Sequence, residues 1–192
     1  MNKELCEMSL EELWRLFPIF LSEHKEFWKE WFLEEAVVLK EAIPKVKRIS
    51  HVGSTAVPNI CAKPIIDILV EIPEDSKLLD YKYAIENGGY TYIAENEKEI
   101  FFSKGYTKNG LAKKNGLAKR VFHLHLRKTG DNDELYFRDY LIEHPEVAKE
   151  YEKLKLKLQK KHQYNKDEYT KAKTDFVKKY TKEAKTLYKD KY

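Results

Sequence analysis

Long apolar runs, cysteines and signature glycine loops are scarce in this 192-residue chain. No stretch approaches the ~18 consecutive apolar residues of a membrane span, and the opening Met1, Asn2, Lys3, Glu4 lacks the basic-then-apolar pattern of a secretory leader. The expectation is a cytoplasmic protein with no membrane partner. Cys6 and Cys61 have no C-x-x-C spacing and read as reduced thiols, which excludes a disulfide framework and a zinc or redox motif. The seven glycines include no G-x-G-x-x-G and no Walker A loop, and neither G-x-S-x-G nor H-E-x-x-H occurs. Nucleotide, hydrolase and zinc-protease chemistry in those familiar forms is therefore absent.

What the chain does have is apolar substance. With 42% hydrophobic and 13% aromatic residues beside 35% charged ones, it can bury a core without metal or disulfide staples. Its length suits one domain over residues 1–192. The net charge of +4 conceals a gradient: Tyr151 to Tyr192 holds 14 lysines against 6 acids, leaving the preceding residues net acidic. A basic helical tail can attract RNA, with an affinity that falls steeply with salt. The same lysines, interleaved with acids and apolar residues, also fit the solvated face of packed helices.

Ser9 and Glu12 form a capping-box pattern at a helix start, and Pro18 limits that helix. A longer helix is expected over residues 22–43, with Trp28, Phe32, Glu35 and Leu39 in one row and Phe27, Trp31 and Val38 in a second. Strands are expected at 46–52, 65–70, 90–93, 99–104 and 122–127, and a helix at 76–87 closed by Gly88-Gly89. The glycine- and lysine-rich 105–119 reads as a mobile loop. Residues 131–192 read as helices: one at 135–144, one opening on Pro145, and a last one carrying Tyr169, Ala172, Phe176 and Tyr180. The fold class is α+β: a long N-terminal helix, a sheet core over 45–130 and a helical C-terminal segment.

Two constellations can carry chemistry. The Gly53-Ser54 turn lets backbone amides approach a phosphate, with His51 and Thr55 beside it as further candidates; hydrogen bonds of the turn itself would equally explain them. Asp67 stands in the apolar run Ile65 to Val70, where a carboxylate needs a partner. Magnesium plus substrate phosphates is one, and a buried ion pair with Lys63 or Arg120 is another. The second constellation is His123-x-His125, whose rings point the same way from a strand. Asp67 would complete a metal site with them if the two strands are neighbours.

His51-Val52-Gly53-Ser54-Thr55-Ala56-Val57-Pro58 and Ala62-Lys63-Pro64-Ile65-Ile66-Asp67-Ile68-Leu69-Val70 resemble the signature of the GrpB family. Trp28, Phe32, Phe101-Phe102, Gly105, Arg120, His123-Leu124-His125, Phe137-Arg138-Asp139-Tyr140-Leu141 and His144-Pro145 extend the resemblance. It implies a nucleotidyltransferase-like fold: a short mixed sheet with helices packed on it. It also implies that Gly53 and Ser54 hold the oxygens of a nucleoside triphosphate, and that Asp67 is the first metal-binding acid. The family's second acid would stand at Leu69, which binds no metal. Glu71 shares Asp67's strand face but lies ~13 Å along it, against the ~3.5–4 Å between paired catalytic metals. His123 or His125 could replace a later-strand acid, a donor set that suits manganese or zinc better than magnesium. Three functions follow as expectations. The first is nucleotidyl or phosphoryl transfer, with Lys63 or Arg120 stabilising charge and a histidine as base. The others are a non-catalytic module that binds a nucleotide or a phosphorylated small molecule, and a metal-dependent hydrolase built on Asp67, His123 and His125.

Overall fold

The computed structural model describes residues 7–43, 45–106, 117–189 and 191–192, with the backbone alone at 117–119. Helix α1 (Leu10–Leu16) begins at Ser9 with the expected capping box: the Ser9 hydroxyl accepts from the Glu12 amide at 3.2 Å and the Glu12 carboxylate from the Ser9 amide at 2.8 Å. Helix α2 (Phe27–Ala42) starts five residues later than its periodicity suggests. The reason is tertiary: Ser22 forms an antiparallel bridge with Ala62, which holds the preceding chain extended. Of its two apolar rows, the Trp28, Glu35 and Leu39 row is buried, whereas Phe27 and Val38 stay exposed.

The five strands are β1 (Arg48–Val52), β2 (Ile66–Ile72), β3 (Thr91–Glu95), β4 (Glu99–Tyr106) and β5 (Leu117–Lys128), in the order β1-β2-β5-β4-β3. The β2–β5 pair is parallel and the others antiparallel, so the sheet is mixed as expected. The expected helix at 76–87 is instead a 3₁₀ turn (Leu78–Tyr81) followed by α3 (Lys82–Asn87). Strands β4 and β5 reach into the segment read as a mobile loop, and the remainder of that segment, 107–116, lies outside the described residues. Gly105 is part of β4, at a register slip between Lys104 and Tyr106. With φ +97°, it lets the Arg120 carbonyl approach to 2.1 Å from where a Cβ would sit.

Alternation sorts the sheet into two faces. Ile66, Ile68, Val70 and Ile72 of β2, with Phe122, Leu124 and Leu126 of β5 and Ile100 and Phe102 of β4, form one core together with Trp28, Leu39 and Ile85 from the helices. The other face presents Asp67, Leu69 and Glu71 beside His123, His125 and Arg127. Helices α4 (Asp133–Glu143), α5 (Pro145–His162), α6 (Lys166–Lys171) and α7 (Thr174–Tyr188) make up the C-terminal region. What reads as one last helix is two, α6 and α7, because the chain tightens at Ala172–Lys173, where the Lys173 amide bonds the Thr170 carbonyl three residues back.

Glu71 is fully buried and accepts from Arg48 through both carboxylate oxygens and from the Asn132 amide at 3.3 Å. It ties β1 and β2 to the N-terminus of α4. Glu71→Gln removes the charge at nearly constant shape and should lower unfolding stability by about 1–3 kcal/mol while leaving ligand affinity unchanged, as read by urea denaturation and calorimetry.

Candidate functional site

The β1–β2 register sets Val52 opposite Asp67, so the turn that follows β1 folds directly over the carboxylate. Gly53 has φ 70° and ψ −173°, and a Cβ added there would lie 2.3 Å from Asp67 Oδ2. The Gly-Ser bend and the aspartate, separated by 12 intervening residues in sequence, are thus in van der Waals contact.

Asp67 is partly exposed, and the ion pair it makes among the described residues is to His123 Nδ1 at 3.4 Å, not to Lys63 or Arg120. Burial opposes its ionisation, but His123, His125 and Lys63 together hold its pKa below the ordinary value. His123 Nε2 meets the Tyr106 hydroxyl at 2.9 Å, and burial depresses the His123 pKa. A neutral imidazole therefore lies between a carboxylate and a phenol.

His125 points to Glu99, with Nδ1 at 2.7 Å from Oε1. Burial lowers its proton affinity, but the Glu99 carboxylate outweighs this and leaves its pKa raised. Glu99 also binds Arg127, which continues to Glu134. The expected set of Asp67, His123 and His125 is therefore not assembled, and no group of three metal-ligating side chains occurs among the described residues. Glu71 does not serve as a ligand either, being held by Arg48 and Asn132. Leu69 packs on Val52 and on Leu135 of α4, so a core contact fills the place of a second acid.

Two further expectations are corrected. Arg120 has the parity of Phe122 and Leu124, which puts it on the opposite sheet face; there it pairs with Glu34 and lies over the Trp31 ring at 5.2 Å. His51 also faces away from the pocket. It stacks on Phe32 at 4.9 Å, and its Nε2 lies 3.0 Å from the Thr55 hydroxyl, which donates to the Ile65 carbonyl at 3.1 Å. Because that hydroxyl spends its proton on Ile65, His51 Nε2–H is the donor to Thr55, and burial brings the His51 pKa down to about 4. His51 thus braces the turn from behind, through Thr55, which is buried and itself lines the cavity in front of the turn.

In front of the turn lies a cavity of about 360 Å³, lined by Gly53, Ser54, Asp67 and His123 from the sheet side. From the other side come Lys63, Arg138, Tyr151, Lys155 and Lys173. Lys155 is 2% exposed and donates to the Cys61 carbonyl. The ammonium groups of Lys63 and Lys173 lie 5.6 and 4.6 Å from the Tyr169 ring centroid. None of these three lysines makes an ion pair among the described residues, and burial brings Lys155 to about 7 and Lys173 to about 8, with Lys63 also lowered. The sequence reading found Lys63 and overlooked Lys155 and Lys173. Spacing marks Lys155, which stands four residues after the buried Tyr151 on the inward stripe of α5, but not Lys173, which lies at the break between α6 and α7.

A single magnesium ion fits this donor set. It binds through one or two carboxylates plus substrate phosphates and water, which matches one ionised, partly exposed Asp67 beside an anion-attracting cavity. A protein-held zinc ion or a metal pair does not fit, since the ligands among the described residues are too few.

No helix among the described residues is long and apolar enough to cross a membrane. Residues 18–183 match the family described as GrpB protein. The chain is 35% identical to the UPF0157 protein YqkA of Bacillus subtilis over 81% of its own length and 44% of that relative's. It is also 35% identical to the glutamate-rich protein GrpB of Alkalihalophilus pseudofirmus, over 83% of this chain and 91% of that one. Among solved structures it resembles the conserved protein GrpB of Enterococcus faecalis, with a TM-score of 0.73, 33% identity, and coverage of 88% of this chain and 99% of that one. A more distant likeness, with a TM-score of 0.51 and 9% identity over 80% of this chain and 47% of that one, is to the Cid1 poly(U) polymerase described with MgGTP bound. It shows a nucleotidyltransferase-like fold and nothing finer. By its matched residues and its relatives, this chain belongs to the GrpB family.

Proposed function

We propose that the protein is a nucleotidyl or phosphoryl transferase whose donor is a magnesium-bound nucleoside triphosphate. The observation that carries this reading is the set of three lysines, Lys155 buried and Lys63 and Lys173 half-buried, that make no ion pair among the described residues and face the Gly53-Ser54 turn and Asp67 across one cavity. Desolvated, unpaired ammonium groups are costly to fold, and an enclosed polyanion is the ligand that repays them.

In this reading the Gly53 amide and Ser54 hydroxyl orient the phosphates, and Lys63, Lys155 and Lys173 neutralise them. Asp67 would hold the magnesium ion, which when bound withdraws electrons from the phosphoryl oxygens. His123 takes the acceptor's proton at Nε2, the atom now covered by the Tyr106 hydroxyl. The loss of the second acid to Leu69 favours one metal over two. The basic C-terminal region divides accordingly: Lys155 and Lys173 belong to the cavity, and only the remaining, mostly exposed lysines are available to RNA.

Calorimetry with ATP and magnesium should give saturable binding, weakened about tenfold by Lys173→Ala. Absence of binding by every nucleoside triphosphate would remove the proposal. Binding without release of pyrophosphate or phosphate over hours, across acceptors, would reduce it to the binding module.

A further inference from the structure

A second cavity of about 330 Å³ adjoins the first and shares Lys63 and His123 with it. Its walls are flat and apolar: Phe17, Phe20, Pro64 and Tyr106 line it, with Phe17 and Tyr106 in edge-to-face contact at 5.4 Å. The wall is built rather than incidental. The segment that carries Phe17 and Phe20 is pinned where the Ile19 amide donates to the Gln163 carbonyl at 2.8 Å, where the Gln159 side chain donates to the Ile19 carbonyl, and at the Ser22–Ala62 bridge. The charges on its lining are the half-buried Lys63 and Lys166, Lys166 lying 5.8 Å from the Phe17 ring centroid; no acidic side chain lines it among the described residues.

We infer that this second lobe is the acceptor site and takes a small molecule with a flat apolar body and an anionic group, its hydroxyl directed at His123. The inference rests on the triphosphate reading of the first lobe. Lys166 and Lys63 select the anion, the aromatic walls take the body, and the lack of a carboxylate excludes polycationic acceptors. His123, alone common to both lobes with Lys63, is where the acceptor oxygen forms its bond to the donor phosphorus. The phosphorus–oxygen bond to the leaving phosphate group breaks with its electron pair going to that group, and the hydroxyl proton passes to His123 Nε2.

The test uses 1-naphthyl phosphate, 1-naphthylmethylamine and inorganic phosphate as probes, titrated into full-length protein alone and into protein saturated with tripolyphosphate. The naphthyl phosphate should bind the loaded protein at least about tenfold tighter than the amine or phosphate does. Lys166→Met, which keeps the apolar stem, should weaken it about fivefold without changing tripolyphosphate affinity. Displacement of the naphthyl phosphate by tripolyphosphate, equal binding of the amine, or indifference to Lys166→Met each overturns the inference. If tripolyphosphate itself does not bind, the triphosphate reading fails, and the same probe ranking and Lys166 comparison on unloaded protein still decide whether the second lobe recognises apolar anions.

Discussion

Gly53→Ala should abolish nucleotide binding and lower the unfolding free energy by about 2–4 kcal/mol, the largest single-residue effect expected here. Two costs add. The backbone at φ 70°, ψ −173° lies in a region essentially restricted to glycine, so any side chain is strained there before it touches anything. The new methyl group would also stand 2.3 Å from Asp67 Oδ2, inside contact distance of the group proposed to hold the metal. Asp67 cannot retreat, because Ile66 and Ile68 on either side of it are buried and fix β2. The turn must therefore open, which withdraws the Gly53 amide and Ser54 hydroxyl from the cavity. The double variant Gly53→Ala, Asp67→Ala separates the two costs: removing the carboxylate relieves the clash but not the backbone strain, so part of the stability returns and binding does not. Urea denaturation and calorimetry read both quantities. A Gly53→Ala protein that binds ATP within twofold of wild type would show that the turn is not part of the ligand site.

The pairing of that turn with Asp67 was legible because it depends on local rules. A glycine-serine bend after one strand and an acid near the start of the next become neighbours once the two strands pair antiparallel. The core face of the sheet was equally readable from the alternation of Phe122, Leu124 and Leu126. That alternation also contained the answer for Arg120, whose even-numbered position sets it with the core residues and away from His123 and His125. His51 was misread because its neighbours in sequence are site residues, while its ring belongs to the face packed by Phe32 of α2. Beyond the four-residue spacing of Lys155 from Tyr151, what sequence could not show is which lysines of a lysine-rich tail turn inward. That choice depends on how α5 and the α6–α7 junction close over the sheet, a contact between residues about 90 or more positions apart, such as Lys155 with the Cys61 carbonyl. The start of α2 at Phe27 has a similar origin in the Ser22–Ala62 bridge.

Polyphosphate affinity should fall as pH rises from 7 to 9, by about ten- to a hundredfold, while the free protein grows more stable over the same range. Both follow from the inward lysines. Lys155 faces the Cys61 carbonyl, Glu152, Tyr151, Lys63 and Lys173, and Lys173 faces Lys63, Asp67 and Tyr169. Burial is the largest influence on each, taking Lys155 from 10.5 to about 7 and Lys173 to about 8. In the unfolded chain these amines keep their protons to about pH 10.5, so between about pH 7 and 10.5 the unfolded state binds more protons and stability rises with pH. This contribution is complete above the unfolded value and lost as pH falls through 7–8. An anion binds the protonated amines, so its binding must take up protons above pH 7.5, and its affinity declines as the free amines lose theirs. The ligand's own titration works in the opposite direction, since ATP only gains charge over this range. Calorimetry in buffers of different ionisation heat measures the uptake directly. A flat affinity between pH 7 and 9, or net proton release, would show that these lysines are not the anion's partners. Lys155→Met sharpens the contrast: it should gain stability at pH 6, where the wild-type amine is charged and desolvated, and lose polyphosphate affinity at the same pH. Those opposite signs distinguish a residue kept for its ligand from one kept for the fold.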